Sequence, residues 1–136
     1  MKTAVIFWSG TGNTEMMAES IAEGAGAELF TVGDFSGNIR DYDKIAFGCP
    51  AMGDEILEPE EFEPFFRSIE SEIHGKTVAL FGSYDWGNGD WMRKWVMRVK
   101  AAGAVVFGND GLIIHLTPDD TALEKCRKFG EDFAGY

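Results

Sequence analysis

The chain has 136 residues, 45% of them hydrophobic, so it can bury one sizeable core, and we expect a single domain spanning 1–136. Asp and Glu total 23 against 12 Lys and Arg, and the formal net charge of −11 argues against nucleic acids and anionic membranes as partners. Proteins with basic faces are the natural counterparts of such a surface.

Apolar runs of strand length alternate with amphipathic segments of helix length, a pattern that produces parallel strands joined by helical crossovers. The expected strands are 4–8, a weaker edge strand at 28–32, 44–48, 77–81, and a fifth strand in two pieces at 104–107 and 112–114. The expected helices are 12–25, 60–71, 89–102 and 118–133, with a short turn or helix near 35–42. The pattern therefore predicts an α/β fold.

The cysteines bear on the cellular compartment. Cys49 and Cys126 are far apart and belong to no CxxC or Cys/His cluster, so we expect two reduced thiols and no metal site. The apolar stretch that ends at Trp8 is too short and wrongly flanked for a signal peptide or a membrane span. We therefore expect a cytoplasmic protein.

The first loop, Ser9-Gly10-Thr11-Gly12-Asn13-Thr14, directly follows the first strand and opens the first helix. Its hydroxyls, its Asn side chain and the free amides of a helix N-terminus suit a phosphate monoester without any Lys or Arg. A Walker A loop would need a lysine, and the dinucleotide fingerprint would need Gly or Ala where Glu15 stands. The alternative is a hydroxyl-capped helix start that binds no ligand.

Two further loops should lie at the same end of the sheet, since open parallel sheets bind ligands beyond the carboxyl ends of their strands. The second loop, Cys49-Pro50-Ala51-Met52-Gly53-Asp54-Glu55, combines a flexible Gly with a large apolar Met, which suits a backbone that moves against a flat ring. The third loop, Ser83-Tyr84-Asp85-Trp86-Gly87-Asn88-Gly89-Asp90-Trp91, carries an indole between glycines, which suits stacking on a flat ligand. Trp91, on the helix side of that loop, is expected in the core.

Ser9–Thr14, Met52–Glu55 and Ser83–Trp91 resemble the three flavin-binding loops of the short-chain flavodoxins of anaerobic, clostridial-type bacteria, and the likeness covers essentially the whole chain. The resemblance implies a flavodoxin-like three-layer sandwich, with a five-stranded parallel sheet in the order 2-1-3-4-5 and helices on both faces. It also implies non-covalently bound FMN in an electron-transfer protein that is not an enzyme. Such a protein is a low-potential one-electron carrier that cycles between neutral semiquinone and anionic hydroquinone in place of ferredoxin.

The same resemblance implies which residues bind FMN. They are Ser9, Gly10, Thr11, Gly12, Asn13, Thr14, Pro50, Ala51, Met52, Gly53, Asp54, Glu55, Ser83, Tyr84, Asp85, Trp86 and Gly87. The side chains of Ser9, Thr11, Asn13 and Thr14, together with the amides of the first loop, would hold the phosphate. Where this chain has Pro50, some relatives carry a Ser that adds a phosphate donor.

For the ring, the resemblance places Met52 against one face and Trp86 on the other. Glu55 would accept a hydrogen bond from the pyrimidine N3, while amides near Asp85 and Gly87 would reach O2 and N1. The Gly53–Asp54 peptide would turn its carbonyl toward the flavin on one-electron reduction. Asp85 stands where many relatives have Gly, and an added carboxylate there could lower the second reduction potential.

Charge near the loops also bears on function. No Lys or Arg lies in the three loops and carboxylates flank them, so negative charge on the reduced flavin should be disfavoured and the second potential low. One stretch holds Asp54, Glu55, Glu58, Glu60, Glu61 and Glu63. These carboxylates either suit the positive end of a helix or form a docking face. The implied partners are redox proteins with basic docking faces, such as ferredoxin- or flavodoxin-dependent oxidoreductases, a hydrogenase or a reductase, and the chain itself is expected to be a monomer.

Two rival functions share this fold class. A small FMN-dependent quinone or flavin reductase would usually need extra segments and a dimer interface to build its substrate pocket. A phosphoacceptor receiver domain would need an acidic cluster after the first strand and an aspartate at the end of the third. Ser9-Gly10 and Cys49-Pro50 stand at those places, which disfavours the receiver domain.

Overall fold

A computed structural model describes residues 2–136 of the chain as an α/β fold. Its strands are β1 (Thr3–Phe7), β2 (Glu28–Thr31), β3 (Lys44–Gly48), β4 (Thr77–Tyr84), β5 (Val105–Val106) and β6 (Leu112–His115). Its α-helices are α1 (Asn13–Ala25), α2 (Phe62–Ile69), α3 (Asp90–Ala101) and α4 (Asp120–Gly135). Short 3₁₀ turns lie at Ile39–Asp41, Glu70–Glu72 and Phe107–Asn109.

All strand pairs are parallel, and the order β2-β1-β3-β4-β5 confirms the predicted topology. The fifth position is filled by two pieces, as expected: β5 pairs with the start of β4, and β6 pairs with its end. The 3₁₀ turn between them interrupts the strand, and Gly108 inside that turn has a φ of 74°. The sequence prediction ended β4 at Phe81, but pairing with β6 extends the strand to Tyr84.

Strand residues alternate between two cores, one on each face of the sheet. In β1, Ala4 and Ile6 belong to the core covered by α2 and α3, whereas Val5 and Phe7 belong to the core covered by α1 and α4. A central strand that is buried on both faces needs no polar alternation, which is why these strands appear as continuous apolar runs in the sequence. Trp91 is buried at 2% exposure, which confirms its expected place in the core.

The strand ends hold the three loops side by side. Backbone hydrogen bonds continue beyond the strands, from Trp8 N to Gly48 O (3.0 Å), from Cys49 N to Phe81 O (3.1 Å) and from Ala51 N to Ser83 O (3.1 Å). The carboxyl ends of β1, β3 and β4 therefore form one continuous edge. Within residues 2–136, no helix is long and apolar enough to cross a membrane.

Candidate functional site

A cavity of about 300 Å³ opens where β1, β3 and β4 end. Its walls come from all three loops and from the end of β1. The lining residues are Trp8, Gly10, Thr11, Pro50, Ala51, Met52, Gly53, Glu55, Ser83, Tyr84, Asp85 and Trp86. The fold thus brings the three loops that the sequence singled out to one place.

The first loop is organised by the hydroxyl of Ser9. Its Oγ accepts hydrogen bonds from the backbone N–H of Gly12 (3.1 Å) and of Glu15 (3.2 Å), so Ser9 caps the start of α1. Because a hydroxyl has two acceptor lone pairs and one hydrogen, these bonds leave the Ser9 hydrogen free to donate. Part of the ligand-free alternative is therefore correct, since one hydroxyl does cap the helix, yet that cap leaves its donor unused.

The same loop leaves several backbone donors without partners. Within residues 2–136, the N–H groups of Gly10, Thr11, Asn13 and Thr14 donate to no backbone or side-chain acceptor. The positive end of the α1 dipole adds to their attraction for an anion. The first loop is therefore a donor set that suits a dianionic group.

Thr14 does not line the cavity itself but contacts Ser83, which does, at the end of β4. Its Oγ1 lies 2.8 Å from the Oγ of Ser83 and accepts the backbone N–H of Ser83 at 3.3 Å. Both side chains are buried. Four other predicted site residues also stay outside the cavity wall, namely Gly12, Asn13, Asp54 and Gly87, whereas Ser9 lines a neighbouring cavity beside Trp8.

The second loop is a tight hairpin closed by Met52 and Ile56. The N–H of Met52 donates to the Ile56 carbonyl (2.9 Å), and the N–H of Ile56 donates back (3.0 Å). Between them, Gly53 has a φ of 46° and Glu55 a φ of 56°. Among the described residues 2–136, no atom outside Gly53 and its two chain neighbours lies within 4 Å of a Cβ built there, so conformation and not space restricts that position.

Glu55 joins the second loop to the third. Its Oε1 accepts the backbone N–H of Asp90 at 2.9 Å, at the start of α3. Gly87 packs so closely on this carboxylate that a Cβ there would lie 2.7 Å from the Glu55 Cδ, and its φ of 91° also favours glycine. Only one carboxylate oxygen is used in this way, so the other can still accept a hydrogen bond from a ligand.

The third loop projects Trp86 at the mouth of the cavity. Its side chain lines the cavity while the residue stays 63% exposed, an arrangement that a flat ligand would partly cover. Behind it, Tyr84 packs against Trp91, with ring centroids 5.7 Å apart, and against His115 at 4.9 Å. The Nε2 of His115 lies 2.8 Å from the carbonyl oxygen of Asp85, which can only accept, so this nitrogen carries a hydrogen.

Two residues of the site region were missed by the sequence analysis. Trp8 lines the cavity and donates its indole N–H to Glu61 Oε1 at 3.2 Å, although the sequence places it simply at the end of a strand. Arg93, one turn into α3, donates to Asn88 O (2.9 Å) and Asn88 Oδ1 (3.0 Å) and pairs with Asp90. The guanidinium of Arg93 thus holds the third loop by hydrogen bonds to Asn88, and the adjacent carboxylate of Asp90 balances its charge.

The acidic stretch divides between the two roles considered for it. Glu58 is buried and accepts the backbone N–H groups of Glu60, Glu61 and Phe62 at 2.7–2.9 Å, which caps the start of α2. Burial raises its pKa, but the three N–H donors outweigh burial and hold the pKa below the ordinary value.

Another carboxylate of the stretch is also engaged internally, because Glu63 forms two bonds with Arg98 at 2.7 and 2.8 Å. Within residues 2–136, no cation lies within ion-pairing distance of Asp54, Glu60 or Glu61. These three residues are exposed and form the outward-facing part of the stretch.

Comparison with known proteins agrees with this geometry. The sequence profile described as flavodoxin matches residues 5–130. The chain is 46% identical over 136 residues to the flavodoxin of Clostridium beijerinckii, covering 96% of this chain and 97% of that protein. It is 43% identical over 133 residues to the flavodoxin of Megasphaera elsdenii, covering 93% and 94%. The solution structure of the two-electron-reduced M. elsdenii protein is similar in fold, with a TM-score of 0.85, 40% identity and coverage of 98% and 99%.

Proposed function

The chain belongs to the flavodoxin family, and on that basis we propose that the cavity between its three loops holds the FMN of an electron carrier. The protein is an FMN-binding electron-transfer protein and not an enzyme. When bound, FMN supplies one-electron redox chemistry at low potential, and the usual role of the family is to serve redox enzymes in place of ferredoxin. The residues described above bind, orient and shield that group.

One observation carries this proposal: the first loop contains no Lys or Arg, yet it presents N–H donors that have no partner within residues 2–136. The free N–H groups of Gly10, Thr11, Asn13 and Thr14 and the free hydrogen of Ser9 are matched to a group that only accepts hydrogen bonds. Hydrogen bonds to a charged acceptor contribute about 1.5–3 kcal/mol each, so several of them can hold a phosphate without an ion pair.

The apolar part of the cavity suits the ring. Met52 and Trp86 come from different loops and both line the cavity, and Trp8 and Tyr84 add apolar surface. The free oxygen of Glu55 is available to accept an N–H from the ring. The Gly53–Asp54 peptide, at the tip of the hairpin, is exposed and makes no backbone hydrogen bond within residues 2–136, so it can reorient without breaking one.

The electrostatic setting favours a low second potential. Asp54 and Asp85 are exposed carboxylates in the loops around the cavity, and Glu55 is half-buried in its wall. The nearby cation, Arg93, is paired with Asp90 and so adds little net positive charge. A negative charge on fully reduced FMN would therefore lie among an excess of carboxylates. This would raise the free energy of the anionic form and lower the second reduction potential.

For partners, we propose redox proteins with basic faces that dock around Trp86. The exposed Trp86 and Ile56 supply apolar contact, while Asp54, Glu60 and Glu61 supply unpaired negative charge. Encounters of this kind are steered by charge and are weakened by salt. We further propose that the protein acts as a monomer in the cytoplasm, where its two buried cysteines would stay reduced.

The direct test is the visible spectrum of the purified full-length chain, followed by reconstitution of the flavin-free protein with FMN. We expect a yellow protein that takes up one FMN and is reduced in two separate one-electron steps. A protein that binds no FMN, or that takes up both electrons in one step, would contradict the proposal. Rapid reduction by NAD(P)H alone would instead indicate a reductase.

A further inference from the structure

The contact between Thr14 and Ser83 joins the first loop to the end of β4. The two hydroxyl oxygens are 2.8 Å apart, and Thr14 Oγ1 also accepts the backbone N–H of Ser83 at 3.3 Å. Thr14 is 1% exposed and Ser83 is 4% exposed, so the contact is largely shielded from bulk solvent. The carbonyl of Ser83 accepts the N–H of Ala51, which fixes the end of the strand.

Either hydroxyl can be the donor in this bond, and which one donates depends on whether Thr14 has a second acceptor for its hydrogen. Each hydroxyl carries one hydrogen and two lone pairs. If Thr14 donates to Ser83, it has no hydrogen left for any other acceptor. If Ser83 donates to Thr14, both lone pairs of Thr14 are filled by Ser83, and its own hydrogen is free.

We propose that Ser83 is a positioning residue that directs the hydroxyl hydrogen of Thr14 toward the phosphate held by the first loop. The inference rests on the proposed function, since it requires a phosphate in that loop. A phosphate accepts and does not donate, so its presence favours the arrangement in which Ser83 donates to Thr14. Ser83 thereby acts on the phosphate through Thr14, from a position 69 residues away in sequence.

Riboflavin allows a sharp test, because it carries the same ring as FMN without the phosphate. The full chain is freed of flavin and titrated with FMN and with riboflavin, following flavin fluorescence. For Ser83→Ala, we expect FMN affinity to fall roughly tenfold, because Thr14 loses the donor that turns its hydroxyl hydrogen toward the phosphate and its bond to the phosphate weakens. Riboflavin affinity should change less than about twofold. Ser36→Ala, an exposed serine away from the cavity, should change neither.

A double-mutant cycle separates action through Thr14 from direct contact, since Ser83 also lines the cavity. Thr14→Val should weaken FMN binding, and adding Ser83→Ala to it should cause no further loss. Additive losses would show that Ser83 contacts the flavin by itself and would overturn the proposal. Equal losses for FMN and riboflavin in Ser83→Ala would overturn it as well.

Two further measurements keep the test decisive. Ser83→Thr retains both donors and should keep the preference for FMN, which covers the case in which Ser83→Ala fails to fold. The ³¹P resonance of bound FMN should shift in Ser83→Ala, and an unchanged resonance would count against the proposal. If the parent protein itself binds FMN no better than riboflavin, the proposed phosphate site fails, whereas a preference for FMN that is unchanged in Ser83→Ala overturns only the role of Ser83.

Discussion

The carboxylate of Glu55 accepts the backbone N–H of Asp90 at 2.9 Å, so one charged side chain ties the second loop to the start of α3. The same residue lines the cavity and has a φ of 56°, a conformation that non-glycine residues adopt rarely. Glu55 therefore holds two loops in register and adds negative charge beside the cavity. These two effects can be separated by substitution.

Glu55→Gln should preserve the acceptor oxygen while removing the charge. We expect the second midpoint potential to rise, on the order of tens of millivolts, because reduced flavin would meet less negative charge. Potentiometric titration measures this. Glu60→Gln is the matched control, since it removes a charge from an exposed side chain that does not line the cavity. An equal shift in both variants would contradict a specific role for Glu55.

Gly53→Ala tests the tip of the second loop. Left-handed backbone costs a residue with a Cβ about 1 kcal/mol more than glycine, and Gly53 has a φ of 46° with open space around it. Because a Cβ hinders the turn of the Gly53–Asp54 peptide, we expect a weaker one-electron-reduced state. Raising that state alone by about 1 kcal/mol lowers the first midpoint potential and raises the second by roughly 40 mV each, so their separation narrows by roughly 80 mV. Gly33→Ala, exposed and without positive φ, should leave the separation unchanged.

Trp86→Ala should weaken FMN binding about tenfold without destabilising the flavin-free protein, because the 63%-exposed indole contributes mainly to a ligand. Titration with FMN and urea unfolding of the flavin-free protein measure the two effects. Met97→Ala removes another apolar side chain, 71% exposed on α3, and should alter neither quantity. Unchanged FMN affinity in Trp86→Ala would rule out stacking by this residue.

Glu58 predicts an acid-sensitive contribution to stability. Its pKa in the folded protein is lowered, because the three N–H donors outweigh the opposing effect of burial. A lowered folded pKa stabilises the protein fully above the unfolded value of about 4.3, and that stabilisation is lost as pH falls through the folded pKa. The free energy of unfolding of the parent should thus approach that of Glu58→Gln below about pH 4. A difference that stays constant from neutral to acid pH would contradict this.

The fold was predictable because its strands are buried on both faces and its helices carry clear apolar stripes. Two boundaries differ from the prediction because of specific partners, one distant in sequence and one nearby. β4 runs to Tyr84 because β6 pairs with its end, and α2 starts at Phe62 after the buried Glu58 has bound the preceding N–H groups. Neither partner is visible from local periodicity.

The candidate site was predictable at the level of loops and less so at the level of contacts. Strand order alone brings the three loops together, and glycine and hydroxyl content marks the first one. Three contacts form only because the fold brings residues together in space. They are the hydrogen bond between Thr14 and Ser83, the indole of Trp8 in the cavity wall, and the hydrogen bonds from Arg93 to Asn88. No spacing rule in the sequence encodes them.

The continuation of backbone pairing beyond the strands, through Trp8, Cys49 and Ala51, has a consequence for electron transfer. These bonds anchor the strand ends from which the loops leave the sheet, whereas within residues 2–136 the Gly53–Asp54 tip of the second loop makes no backbone hydrogen bond. If the Gly53–Asp54 peptide turns on reduction, as we expect, the anchored strand ends should stay in place while it does so. Small rearrangement between oxidation states is what lets electrons enter and leave quickly.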